Sequence, residues 1–192
     1  MSTRILVFAG SAREGSLNKK LARAAAEAAR TAGAEVTLVD LRDHTLPVYD
    51  GDLEAHHGVP VQAVKLKALF KEHDALLIAS PENNGSVSAL LKNTLDWLSR
   101  PVGEESGLAP YKGKVAALLA ASPGALGGLR GLVHLRQILQ SLGVLVLSEQ
   151  FALSKAHEAF AADGALKDPK QQAQVAAIAA RLVEVAGRLS AA

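Results

Sequence analysis

The chain has 192 residues, 49% apolar and 21% charged, with 21 Lys plus Arg against 19 Asp plus Glu for a formal net charge of +2. That length supports one well-buried core, residues 1–192 as a single domain, and scattered charge with only 4% aromatics argues against a nucleic-acid stripe. With no cysteine, disulfides, thiolate nucleophiles, CxxC redox pairs and Cys-ligated metal centres are excluded, so any electron transfer must rest on a bound cofactor.

The segment MSTRILVFAG carries one basic residue and a short apolar run that leads straight into a polar loop. It reads as a strand, Arg4 to Gly10, rather than as a secretion signal. No stretch approaches the roughly 20 apolar residues of a membrane span, and the cytoplasm is the expected compartment. An amphipathic run predicts a helix over Leu17 to Ala32, stopped by Gly33. Glu35 to Asp40 alternates apolar and polar residues and reads as an edge strand, and Leu41 to Pro60 reads as irregular. A helix over Val61 to His73, a strand over Ala75 to Ser80 and a helix over Ser86 to Leu98 follow, the last with Ser86 placed to cap it. Lys114 to Ala121 predicts a strand, Leu129 to Ser141 a helix closed by Gly143, and Val144 to Ser148 a strand. Phe151 to Pro169 reads as loop, and Lys170 to Leu189 as the last helix.

Nearly continuous apolar strands are those of a parallel sheet covered on both faces. Five βα units joined by right-handed crossovers give an α/β fold, a flavodoxin-like doubly wound five-stranded parallel sheet of order 2-1-3-4-5 in three αβα layers. In such a sheet ligands sit beyond the carboxyl ends of the strands, beside the point where strand order reverses. The loops after Gly10, Ser80 and Ala121 therefore matter most.

The first runs Gly10-Ser11-Ala12-Arg13-Glu14-Gly15-Ser16-Leu17-Asn18. Its glycines let successive amides turn inward, Ser11 and Ser16 offer hydroxyls, Arg13 a charge-assisted bond, and the following helix its positive end. This is the composition of a phosphate cradle. Gly10 and Gly15 have Walker A spacing, but Ser16-Leu17 stands where Lys-Ser/Thr is required and G-x-G-x-x-G is missing, so a nucleoside triphosphatase is disfavoured. The second loop, Ser80-Pro81-Glu82-Asn83-Asn84-Gly85-Ser86, can hold a shaped edge of peptide groups against a flat ligand. The third, Ser122-Pro123-Gly124-Ala125-Leu126-Gly127-Gly128, has glycines that allow close backbone approach to a ring. It also reads as a flexible connection. Ser122 follows Ala120-Ala121 rather than the G-x of a nucleophile elbow, which argues against acyl transfer.

Together the three loops resemble the NADPH-dependent FMN reductase family, the flavodoxin-like quinone, chromate and azo-dye reductases. The residues that carry the resemblance are Gly10, Ser11, Arg13, Ser16 and Asn18, then Pro81, Glu82, Asn84, Ser86, Leu91, Lys92, Asn93, Asp96 and Trp97, then Ser122, Gly124, Gly127 and Gly128. The resemblance implies FMN as cofactor, its phosphate on Ser11, Arg13, Ser16 and Asn18 with Leu17 among the binding residues. The flavin ring would lie along Pro81, Glu82, Asn83 and Asn84, with Ser122 and Gly124 nearby. It further implies NADPH or NADH as hydride donor, a small-molecule electron acceptor, no catalytic side chain, and pairing of subunits as a homodimer or homotetramer through the helices after strands three and four. Asn83 stands at the family's usual tyrosine, and Ser88-Ala89 at its usual Pro-Gly. Losing that ring removes apolar contact area, which bears on acceptor choice and cofactor retention.

The six histidines show no metal-ligand spacing, and no metal is expected. Asp40 mimics a ribose-binding acid but lacks the glycine fingerprint, so it reads as the start of a loop. The helix after strand four carries Leu132, Leu135, Leu139 and Leu142 on one stripe, with an apolar girth wider than one buried face needs. Trp97 reads equally as core filler and as a subunit contact. Two other functions share the fold: a flavodoxin-type electron carrier, and a non-enzymatic module that keeps the phosphate loop without redox chemistry.

Overall fold

The architecture follows from which strands are apolar on both faces. In the computed structural model, which describes residues 2–190, β1 (Arg4–Ala9), β3 (Ala75–Ala79) and β6 (Val115–Ala121) are buried along their lengths apart from Arg4. Met1, where the segment read for a secretion signal begins, and residues 191–192 lie outside the described part. β2 (Glu35–Val39) and β7 (Leu145–Leu153) take the two edges of one parallel sheet of order β2-β1-β3-β6-β7, as expected from the sequence.

Alternation along each strand feeds two cores. Ile5, Val7 and Ala9 face the side covered by α1 (Leu17–Thr31) and α6 (Pro169–Ser190). Leu6 and Phe8 face the side of α3 (Val61–Glu72), α4 (Ala89–Leu98) and α5 (Leu129–Ser141). Removing each large side chain such as Phe8, Phe70 or Leu76 from water contributes about 1.5–3 kcal/mol. α1 presents Ala22, Ala25, Ala26 and Ala29, whose small side chains let it lie close to the sheet.

Three expectations change. Leu41 to Pro60 is not all loop: it holds a 3₁₀ turn (Leu41–Asp43) and a helix, α2 (Gly51–His57), capped by Asp50, whose Oδ1 accepts from the amides of Asp52 (2.8 Å) and Leu53 (3.4 Å). β7 continues to Leu153 instead of ending at Ser148. The helix expected from Ser86 begins at Ala89, because Glu82–Asn83 (β4) and Ser86–Val87 (β5) pair as a small antiparallel hairpin. Asn84 and Gly85, at φ 52° and 80°, form its turn, the backbone that an Asn-Gly pair favours.

Trp97 belongs to the core. It is fully buried, its Nε1 donates to the Pro47 carbonyl (2.8 Å), and its ring meets Tyr49 edge-on. Asn93, one turn earlier, donates to the same carbonyl (2.8 Å) and accepts from the Tyr49 amide (2.8 Å). Those two α4 residues thus fasten the segment after β2 onto the helix.

Candidate functional site

The loops after β1, β3 and β6 converge on one cleft of about 440 Å3 at the carboxyl edge of the sheet. It brings together nine of the residues expected there: Ser11, Arg13, Ser16, Leu17, Asn18, Pro81, Glu82, Asn83 and Ser122. Asn84 and Gly124 do not line it. Asn84 sits at the hairpin turn, and Gly124 lies beyond Pro123, its amide donating to Ser122 Oγ (3.2 Å).

The first loop is built to present donors. Gly10 is tied to β3 through the Ala79 carbonyl (2.9 Å), and a Cβ at Gly10 would come within 3.0 Å of Leu91, so this glycine lets α4 close against the loop. Ser16 caps α1 by accepting from the Lys19 amide (3.3 Å). Among the described residues, the amides of Ser11, Ala12, Leu17 and Asn18 find no acceptor in the protein, and all four residues line the cleft. Unpaired amides at a helix start, with the positive end of the helix dipole behind them, suit an anion. Arg13 adds a guanidinium at the mouth, one of whose donors rests on the Gly15 carbonyl (3.1 Å).

Asn18 works from behind this row. Its carboxamide exchanges two 2.9 Å hydrogen bonds with the backbone of Ala121 and is buried, so its side chain joins the first loop to the third.

Glu82 is expected beside a ligand ring, and it lines the cleft, but its carboxylate is already engaged by the start of α5. It accepts from the amides of Arg130 (3.1 Å) and Gly131 (3.3 Å) and from Arg130 Nε (2.7 Å). It thereby caps α5, whose own cap position is the left-handed Gly128 with no side chain to offer. The Arg130 guanidinium, together with these amides, outweighs burial and holds the Glu82 carboxyl below the usual carboxylate range.

The glycines of the third loop serve the chain's own packing. A Cβ on Gly127 would stand 2.7 Å from the Ala152 backbone, and one on Gly128 2.8 Å from the Ala120 side chain. Gly124, by contrast, faces open space apart from Ser122 Oγ at 3.5 Å.

Sequence reasoning missed Ser88. Its hydroxyl donates to the Gly10 carbonyl (2.6 Å) and accepts from the Leu91 amide (3.1 Å), so it caps α4, the role expected of Ser86, and links the first two loops. Ser86 instead meets His134 Nδ1 (2.9 Å). The Asn84-Gly85 pair was the available signal, since a hairpin there moves the helix start past Val87.

The family model described as NADPH-dependent FMN reductase matches residues 3–158. An NAD(P)H-dependent FMN reductase of Pseudomonas aeruginosa is 37% identical over 168 residues, 87% of this chain and 86% of that protein. A quinone reductase of Escherichia coli K12 is 34% identical over 146 residues, 76% and 74% of the two chains. In three dimensions, the flavoenzyme NAD(P)H:(acceptor) oxidoreductase FerB of Paracoccus denitrificans matches with a TM-score of 0.80 and 30% identity, over 97% of this chain and 98% of that one.

Proposed function

The chain belongs to the NADPH-dependent FMN reductase family and is an FMN-dependent NAD(P)H oxidoreductase, and from that premise we propose that its three-loop cleft is the flavin site. The observation that carries this reading is the row of unpartnered amides at residues 11, 12, 17 and 18 beside Arg13, a donor set matched to a phosphate monoester.

Ser11, Arg13 and Ser16 would hold the phosphate with side-chain donors, and Leu17 and Asn18 with their amides. The backbone of Pro81, Glu82 and Asn83 would carry one edge of the ring, with Asn84 shaping the hairpin behind it. Ser122 would close the other edge, with Gly124 leaving room beside it. Bound FMN supplies a ring that accepts hydride from the nicotinamide and passes the electrons to a small acceptor, a quinone or a flavin. The chain itself binds and orients. Glu82, the one carboxylate among the described residues lining the cleft, is bonded to Arg130 and the start of α5.

Two copies would pair through α4 and α5, giving a homodimer or a homotetramer. Leu126 in the loop before α5, and Leu129 and Val133 in its first turns, each 40% or more exposed, support that face. No described helix is long and apolar enough to cross a membrane. A cytoplasmic setting fits the supply of reduced nicotinamide.

The test is anaerobic titration of the FMN-loaded protein with NADPH and with NADH, followed by a benzoquinone. Bleaching of bound flavin by the nicotinamide and its return with the quinone support the reading. Failure to bind FMN, or bound flavin that neither nicotinamide reduces, would overturn it.

A further inference from the structure

Behind the first loop lies a buried cation that the binding row itself does not use. Lys19 is 8% exposed and is not among the cleft residues. Its ammonium donates to Asp40 Oδ2 at 2.6 Å and, at the long end of the hydrogen-bond range, to the Ala12 carbonyl at 3.4 Å. Asp40 follows β2, caps the 3₁₀ turn and is itself fixed, since its Oδ1 accepts from the Arg42 amide (3.0 Å). Burial opposes the charge on Asp40, but Lys19 and the Arg42 amide outweigh it and keep the carboxyl below its ordinary value. A buried ammonium is tolerated when it is paired and hydrogen-bonded, and here it has two oxygen partners.

The consequence lies in the peptide that follows. In a trans peptide the carbonyl of one residue and the N–H of the next point in opposite directions. The Ala12 carbonyl is held from the rear, so the Arg13 N–H faces forward. That N–H is directed at Ser11 Oγ (3.4 Å), which lines the cleft. Without a cation at the rear, the Ala12 carbonyl would be free to turn inward, placing an acceptor where an anion needs a donor.

We propose that Lys19, anchored by Asp40, is a positioning residue that fixes the Ala12–Arg13 peptide with its N–H toward the cleft, and so sets the protein's preference for a phosphorylated flavin. This rests on the flavin-site reading above and deepens it. Lys19 is not among the residues that line the cleft, so in this proposal it acts through the loop.

The experiment compares FMN with riboflavin, which has the same ring without the phosphate. Affinities are measured by flavin fluorescence quenching for wild type, Lys19→Met and Asp40→Asn, alongside apo-protein melting. Lys19→Met is expected to weaken FMN about tenfold, the scale of a hydrogen bond involving a charged group, with riboflavin within about twofold of wild type. Asp40→Asn keeps the ammonium but loosens its anchor, and is expected to shift the FMN to riboflavin ratio in the same direction by a smaller factor. It also serves should Lys19→Met not fold. An unchanged ratio in the variants, or equal loss of both ligands, would overturn the proposal, because a merely structural lysine moves the two together. If wild type itself binds FMN no better than riboflavin, the phosphate cradle falls first and Lys19's role with it.

Discussion

Asn18 in α1 and Ala121 at the end of β6, 103 residues apart, bond to each other twice: the carboxamide donates to the Ala121 carbonyl and accepts from its amide, both at 2.9 Å. A single side chain thus satisfies two buried backbone groups and sets the spacing between two walls of the cleft. Asn18→Leu removes both partners and leaves the Ala121 groups unpaired. The expected cost is about 2–4 kcal/mol in urea unfolding, with FMN affinity falling as the walls lose their registry.

Glu82 gives a pH signature. Its folded carboxyl titrates below the usual glutamate range, chiefly through Arg130. Its stabilisation is therefore fully present above the unfolded value of about 4.3 and is lost as pH falls through the depressed folded value. Glu82→Gln should melt below wild type at pH 7 and converge with it toward acid. Melting curves that stay parallel down to acid pH would show that the carboxylate does not cap α5.

The glycines separate by surroundings. Gly127 has φ 63° and backbone atoms of Ala152 and Leu153 within 2.8 Å of an added Cβ, whereas Gly15 has nothing within 4 Å. Gly127→Ala should destabilise the fold by about 2–4 kcal/mol or abolish it, and Gly15→Ala should stay within about 0.5 kcal/mol of wild type. Equal effects in thermal melts would mean that the third loop is not packed as described.

Strand order and the three loops were legible because β1, β3 and β6 are apolar on both faces and each loop announces itself with Gly, Ser, Asn or Pro. What was not legible depends on partners distant in sequence or on elements too short for a period. α2 buries no residue completely, so no apolar stripe marks Gly51–His57, and Asp50 was its one signal. β4 and β5 have two residues each, below any periodicity. Glu82 reads as a ligand contact until Arg130, 48 positions on, is brought to it. Lys19 drew no attention in the sequence because nothing local says that Asp40, 21 positions on, pairs with it.

If the first loop grips a flavin's phosphate, Arg13, its one side-chain cation lining the cleft, carries part of that grip. The most direct measurement is FMN and riboflavin affinity for wild type and Arg13→Ala by equilibrium titration. The variant is expected to lose about 1.5–3 kcal/mol for FMN and almost nothing for riboflavin. Unchanged FMN affinity in Arg13→Ala would contradict that role.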